Sequence, residues 1–142
     1  MPGEKADKEQ QLQVKMMQFQ VLQGTYQTLR QQLEASIAKA NEIAQTKNTL
    51  ELLGDTKPAS ALLPIGCDNF VPGRVEKTDT VVVSVGGSVV LRKPRAEAIR
   101  ILDGKLEEIQ KNANHLGQQL AAVESQLAHL QPELEQMLQE RN

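Results

Sequence analysis

The chain has 142 residues and a formal net charge of −2, and its only aromatic residues are Phe19, Tyr26 and Phe70. That length fits a single unit over 1–142, but so few aromatics are poor material for a compact core. The near-neutral charge gives no bulk attraction for nucleic acid or for an acidic membrane surface, so neither is expected as a partner. The opening MPGEKADKEQ is charged and lacks the apolar segment of a signal peptide, and no stretch approaches the ~18 apolar residues of a membrane span. A cytoplasmic protein is the expectation. The one cysteine, Cys67, has no intrachain partner and fits a reducing compartment.

The first element is a helix over 5–53. With Leu12 as heptad position a, the a positions read Leu12, Phe19, Tyr26, Leu33, Ala40 and Lys47, and the d positions Lys15, Leu22, Leu29, Ser36, Ile43 and Leu50. All but Lys15, Ser36 and Lys47 are apolar, which is a coiled-coil seam with three interruptions. Pro2 and Gly3 predict a frayed start. Gly54 and the turn-rich GDTKPAS end the helix.

Residues 60–93 change character. ALLPIG, FVPGRVE, TVVVSVG and SVVLRK are separated by CDN, KTD and the pair Gly86–Gly87, and they read as four short strands in two successive β-hairpins. Pro64 and Pro72 make the first two strands edge strands or bulged ones. Val81, Val83 and Val85 share one face, which Val89 and Leu91 continue, while Val82 and Ser84 point the other way. So small a sheet cannot enclose a core, and left exposed it is an aggregation hazard. The economical solution is pairing with sheets of other subunits, with Leu62, Ile65, Phe70, Val71, Val75, Val81, Val83, Val85, Val89 and Leu91 as the assembly surface.

A second helix follows over 94–141, opened by Pro94 in its first turn. From Ile99 the a positions are Ile99, Leu106, Ala113, Leu120, Leu127 and Leu134, and the d positions Leu102, Ile109, Leu116, Val123, Leu130 and Met137, every one apolar. A strict 3.5-residue repeat calls for a left-handed supercoil with another helix. The first helix is the nearest partner, so the two arms fold back as an antiparallel pair. Pro132 is expected to kink or locally break the second arm near His129.

Catalytic and ligand-binding constellations are absent from the pattern. Gly86–Gly87–Ser88 is followed by a strand, not by the helix a phosphate-binding loop needs, so it reads as a turn. His115 and His129 occupy solvent-facing c positions without a second ligand in helical reach, which leaves no metal site. Cys67 has no assignable His–Asp partners, and Glu107, Glu108, Glu133 and Glu135 read as solvated helix charges. No enzyme, cofactor or metal is expected. Arg92, Lys93 and Arg95 cluster at a helix start, where positive charge opposes the macrodipole, and read as an exposed charge cluster or a dock for an acidic partner.

The order helix, double hairpin, helix resembles the alpha-class subunits of prefoldin. The resemblance is carried by LLPIG, Phe70–Val71, Thr78–Asp79, the Val-rich strand Val81–Gly86 and the Ala- and Glu-containing helix start Ala96–Ile99, in that order. It extends over the whole layout, with specific residues over about 40 positions and no catalytic motif among them. It departs from the family in Gly86–Gly87–Ser88, where Gly-Ala-Gly is usual, and in Arg92–Lys93–Pro94–Arg95, where a helix-capping Thr is usual. Beta-class subunits carry one hairpin, so two hairpins point to the alpha class.

The resemblance implies a mainly α fold with a small β insert: a long antiparallel coiled-coil hairpin whose two central β-hairpins pair between subunits into a β-barrel hub. It implies a hexamer with beta-class prefoldin subunits, ATP-independent capture of unfolded client proteins at the coiled-coil tips, and delivery to a group II chaperonin. The tips would be residues 5–25 and 122–142. There Val14, Met16, Met17 and Val21 are apolar yet off the seam, and Leu138 flanks Met137. A loosened seam beyond Pro132 would add Leu130, Leu134 and Met137 to an apolar clamp, since the flexible thioether adapts to varied partners. Alternatively, the surplus only broadens the core stripe, and the chain is a coiled-coil adaptor oligomerised through its β insert.

Overall fold

A computed structural model of the chain describes residues 2–54 and 58–141. In chain order the elements are α1 (Pro2–Leu53), β1 (Ala59–Gly66), β2 (Asn69–Val75), β3 (Thr80–Gly86), β4 (Val89–Pro94) and α2 (Arg95–Arg141). Helix α1 begins at Pro2, a position where proline's missing N–H is no loss. Of the turn-rich stretch after it, residues 55–57 lie outside the described residues. The chain divides into two compact units, Met1–Ala38 with Gln110–Asn142, and Lys39–Ile109.

The first unit is an antiparallel helix pair. Its cross-helix contacts run in opposite order along the two helices: Glu9 to Arg141 at 3.8 Å, Lys15 to Glu133 at 2.6 Å, Tyr26 to Glu124 at 3.2 Å and Ser36 to Asn112 at 3.5 Å. Burial follows the heptad. In this stretch of α1 only Leu12, Lys15, Phe19, Leu22, Tyr26, Leu29, Leu33 and Ser36 are shielded, and in α2 only the a and d residues and Gly117 are. Leu12, Leu116 and Leu134 are buried, each worth roughly 1.5–3 kcal/mol relative to exposure.

Pro132 neither breaks α2 nor opens the seam. The helix runs on to Arg141, Leu134 is buried, and Leu130 and Met137 are half-buried. The expected loosening of the seam at Leu130, Leu134 and Met137 is not seen in the free chain. Pro132 sits at the outward f position and removes a donor from the Ala128 carbonyl, and Ala128 is exposed, so water can serve that carbonyl instead.

In the second unit the strands form two separate two-stranded antiparallel sheets, β1–β2 and β3–β4. Both hairpins have the same design. Register shifts between Pro64 and Gly66 and again between Ser84 and Gly86, leaving Ile65 and Val85 as bulge residues. The turn pairs are Cys67–Asp68 (φ 47° and 61°) and Gly87–Ser88 (φ 57° and 64°), positive at both central residues as a tight two-residue turn with matching twist requires. Asn69 and Gly86 therefore belong to strands, one residue away from the expected loops. Every strand has a free edge within its own sheet, which is why Pro64 and Pro72 are tolerated.

Among the described residues of this unit, Ile43 of α1, Val83 of β3 and Ala98 of α2 are buried. Lys105 Nζ donates to the Ser84 carbonyl (3.0 Å) and the Arg95 N–H to the Asp79 carbonyl (2.9 Å), which tie the second hairpin to the start of α2. Lys47, an interruption of the seam, meets Asp103 at 2.7 Å.

Candidate functional site

The basic cluster at the start of α2 is structural for the most part. Arg95 reaches back to donate to the Leu50 carbonyl (3.2 Å) in the last turn of α1, where unsatisfied carbonyls and the negative dipole end favour a cation. Its guanidinium lies against Gly54, where a Cβ would collide with it. Lys93 pairs with Glu97 at 3.4 Å. The penalty expected for positive charge at a helix start is thus met by partners on other turns.

Among the described residues, no cluster of three or more His, Cys, Asp or Glu side chains could hold a metal ion. No helix among the described residues is long and apolar enough to cross a membrane. Cys67 is exposed in its turn, and His115 and His129 are exposed on α2.

Two apolar surfaces stand out instead. In the first unit, Val14 (49% exposed), Met17 (66%) and Val21 (66%) occupy successive c, f and c positions of α1, where a two-stranded coil carries polar groups. With Leu22 and Leu130 at the base and His129 on the rim, they line an open groove of about 780 Å³. The expected tip residues are therefore not one patch. Val14, Met17, Val21 and Leu130 share the groove, Met16 and Leu138 are exposed at e positions on the other flank, and Leu134 and Met137 are seam residues.

At the lip of this groove Lys15 holds Glu133. The lysine's hydrogen bond and charge together keep the Glu133 carboxyl below its ordinary pKa, and His129 one turn earlier in α2 adds a smaller effect in the same direction.

The hairpins form the second surface. In β1–β2, register places Leu62 opposite Pro72 and Pro64 opposite Phe70, and all four are exposed on one apolar face. In β3–β4, Val82 lies opposite Arg92 and Ser84 opposite Val90, with Val82 65% and Val90 60% exposed. The other face holds Val83 opposite Leu91, and there Val83 is buried, Val81 half-buried and Leu91 exposed.

Of the residues expected at an assembly surface, Leu62, Ile65, Phe70, Val71, Val85, Val89 and Leu91 are exposed. Val83 is buried and Val81 half-buried on the inward face of β3–β4, and Val75, at the end of β2, is half-buried. The exposed Leu63, Val82 and Val90 belong to the apolar surface but were not among the expected residues. Alternation alone separates two faces and does not say which one the helices cover.

Comparison with known proteins agrees with this construction. A family model described as prefoldin subunit matches residues 22–140. The prefoldin subunit alpha of Thermococcus onnurineus is 35% identical over 106 residues, spanning 72% of this chain and 71% of that one. The prefoldin subunit alpha of Pyrococcus horikoshii is 27% identical over 140 residues, spanning 96% and 94%. In fold, the chain resembles a cryo-EM structure of filamentous PFD from Methanocaldococcus jannaschii, with a TM-score of 0.69, 24% identity, and coverage of 80% of this chain and 95% of that one. With long helices flanking two β-hairpins, and with alpha subunits among its relatives over most of its length, the chain belongs to the prefoldin family of non-enzymatic chaperone subunits, on its alpha side.

Proposed function

We propose that this chain is an ATP-independent holdase subunit that works in the cytoplasm within a prefoldin hexamer. Its hairpins join it to beta-class subunits through the exposed faces around Leu62, Phe70, Val82 and Val90. Its helix ends take hold of non-native proteins, which the assembly delivers to a group II chaperonin.

The observation that carries this reading is the apolar surplus at c and f positions of the first unit, Val14, Met17 and Val21. Coiled-coil packing does not need these residues, and exposing them has an aggregation cost unless they bind something. A shallow apolar groove binds weakly on its own, so capture depends on several subunits gripping one client at once, and that requires assembly.

Sedimentation velocity on the chain alone and with a beta-class partner, followed by aggregation assays with a denatured protein, tests the reading. A discrete hetero-oligomer that suppresses aggregation without nucleotide is the expected result. A stable dimer indifferent to both the partner subunit and the unfolded protein would refute it and favour a coiled-coil adaptor.

A further inference from the structure

From the groove of the first unit we infer the conformation of what it holds: an amphipathic helical segment of a non-native chain, bound as a third helix, in preference to an extended segment. The inference rests on the client-capture reading above and adds the form in which the client is recognised.

Backbone chemistry decides between the two forms. The groove is walled by Val14, Met17, Val21, Leu22 and Leu130, and its walls are side chains of two continuous helices whose own backbone groups are already paired. An extended segment lying there would bring N–H and C=O groups against hydrocarbon with no sheet edge to receive them, and each group left unsatisfied weakens binding. A helix satisfies its backbone internally and presents only side chains.

The spacing fits as well. Val14, Met17 and Val21 stand at i, i+3 and i+7, the ridge pattern that accepts the side chains of another helix.

Size excludes a second copy of this chain as the occupant. The stripe is bounded by Asp7 and Gln10 before it and by Gly24 and Thr28 after it at the same c and f positions, so it spans about two turns. A stable dimer needs ~800 Å² buried on each partner, which a stripe of that length cannot supply. The rim offers little to select by sign: Gln18 and Gln126 are neutral, Glu133 is engaged by Lys15, and the remaining polar rim residue is His129. The occupant is therefore a short segment chosen for its apolar stripe and not for its charge.

The test uses two labelled peptides of identical composition, one with leucines at i, i+3, i+4 and i+7 and one with leucines alternating, titrated into the full-length chain assembled with its beta-class partner. Fluorescence anisotropy should show the helix-patterned peptide binding about tenfold tighter or more, with a gain of helical circular dichroism on binding. The double substitution Met17→Gln and Val21→Gln, at exposed positions where folding is insensitive, should remove the difference. Equal affinities, or binding without a helical signal, would overturn the inference while suppression of client aggregation persisted. Loss of both peptide binding and aggregation suppression would instead take down the client-capture reading and this inference with it.

Discussion

Lys15 and Glu133 join the two helices of the first unit by a 2.6 Å ion pair, at the point where a charge interrupts the apolar seam of α1. The other two interruptions behave alike: Ser36 accepts from Asn112 at 3.5 Å, the long limit of a hydrogen bond, and Lys47 meets Asp103 at 2.7 Å. Each polar seam residue finds a polar partner just off the opposite seam, which only one register allows. Such pairs specify alignment at a cost in stability. The triple substitution Lys15→Leu, Ser36→Leu and Lys47→Leu should raise the Tm by a few degrees, since solvent screening leaves exposed ion pairs little net stabilisation and leucine fills the seam better. Cysteine cross-linking between the helices should then report several registers where the native chain gives one. A single register in the triple variant would show that the apolar repeat suffices.

Two of these pairs carry opposite pH signatures. The Glu133 carboxyl is held below its ordinary pKa by Lys15, so its contribution to stability is complete above the ordinary carboxylate range near ~4.3 and is lost as pH falls through the lowered value. The Lys47 ammonium is held above its ordinary value by its hydrogen bond to Asp103 and by that carboxylate's charge, so its contribution is complete below ~10.4 and is lost as pH rises through the raised value. Thermal melts across pH should lose an acid-side increment in Lys15→Met and an alkaline-side increment in Asp103→Asn, each variant sparing the other limb. A Lys15→Met profile parallel to that of the unaltered chain below pH ~4 would show the pair to be silent.

Much of this is legible in the sequence. A 3.5-residue repeat reports which side of a helix is covered, so the burial of α1 from Leu12 to Leu50 follows the a and d positions throughout. The partners of Lys15, Ser36 and Lys47 were not legible, because the alignment of two antiparallel helices depends on the geometry between them and not on either repeat. Hairpins were visible in the β-branched runs, but the bulge at Val85, Gly86 at φ 109° and the turn at Gly87–Ser88 depend on one extra residue that pattern cannot place. Arg95 misled for another reason: judged by its own helix it is badly placed, and its hydrogen-bond partner is the Leu50 carbonyl of α1.

The shared hairpin design gives a prediction about the turns. Cys67, Asp68 and Ser88 all adopt positive φ, which costs a residue with a Cβ roughly 1–2 kcal/mol. Replacing Cys67–Asp68 by Asn–Gly, the pair best suited to this turn, should stabilise the first hairpin by about 1 kcal/mol. Gly86→Val, at φ 109°, should cost about 1–3 kcal/mol in the second. Hydrogen exchange of the strand amides resolves the two hairpins separately. Unchanged protection in the Asn–Gly variant would mean that the turn is not what limits hairpin opening.

The two faces of the second hairpin should respond differently to substitution. Val83 is buried inside the chain, so Val83→Ala removes packing and should lower the stability of the isolated subunit by about 1–3 kcal/mol. Val82, its neighbour on the opposite face, is 65% exposed, and Leu62 on the first hairpin is 66% exposed. Val82→Glu and Leu62→Glu should therefore leave the melting of the isolated subunit nearly unchanged, as surface substitutions usually do. If these faces are buried between subunits, Leu62→Glu introduces a charge there with only Pro72 opposite, and Val82→Glu a charge that must be desolvated together with Arg92 opposite it, so sedimentation with the beta-class partner should show loss of the hetero-oligomer. Normal assembly by both glutamate variants would place the subunit interface elsewhere. Loss of assembly by Val83→Ala, in a chain that melts normally, would mean that the inward face is the one subunits share and that β3–β4 lifts away from the helices when they join.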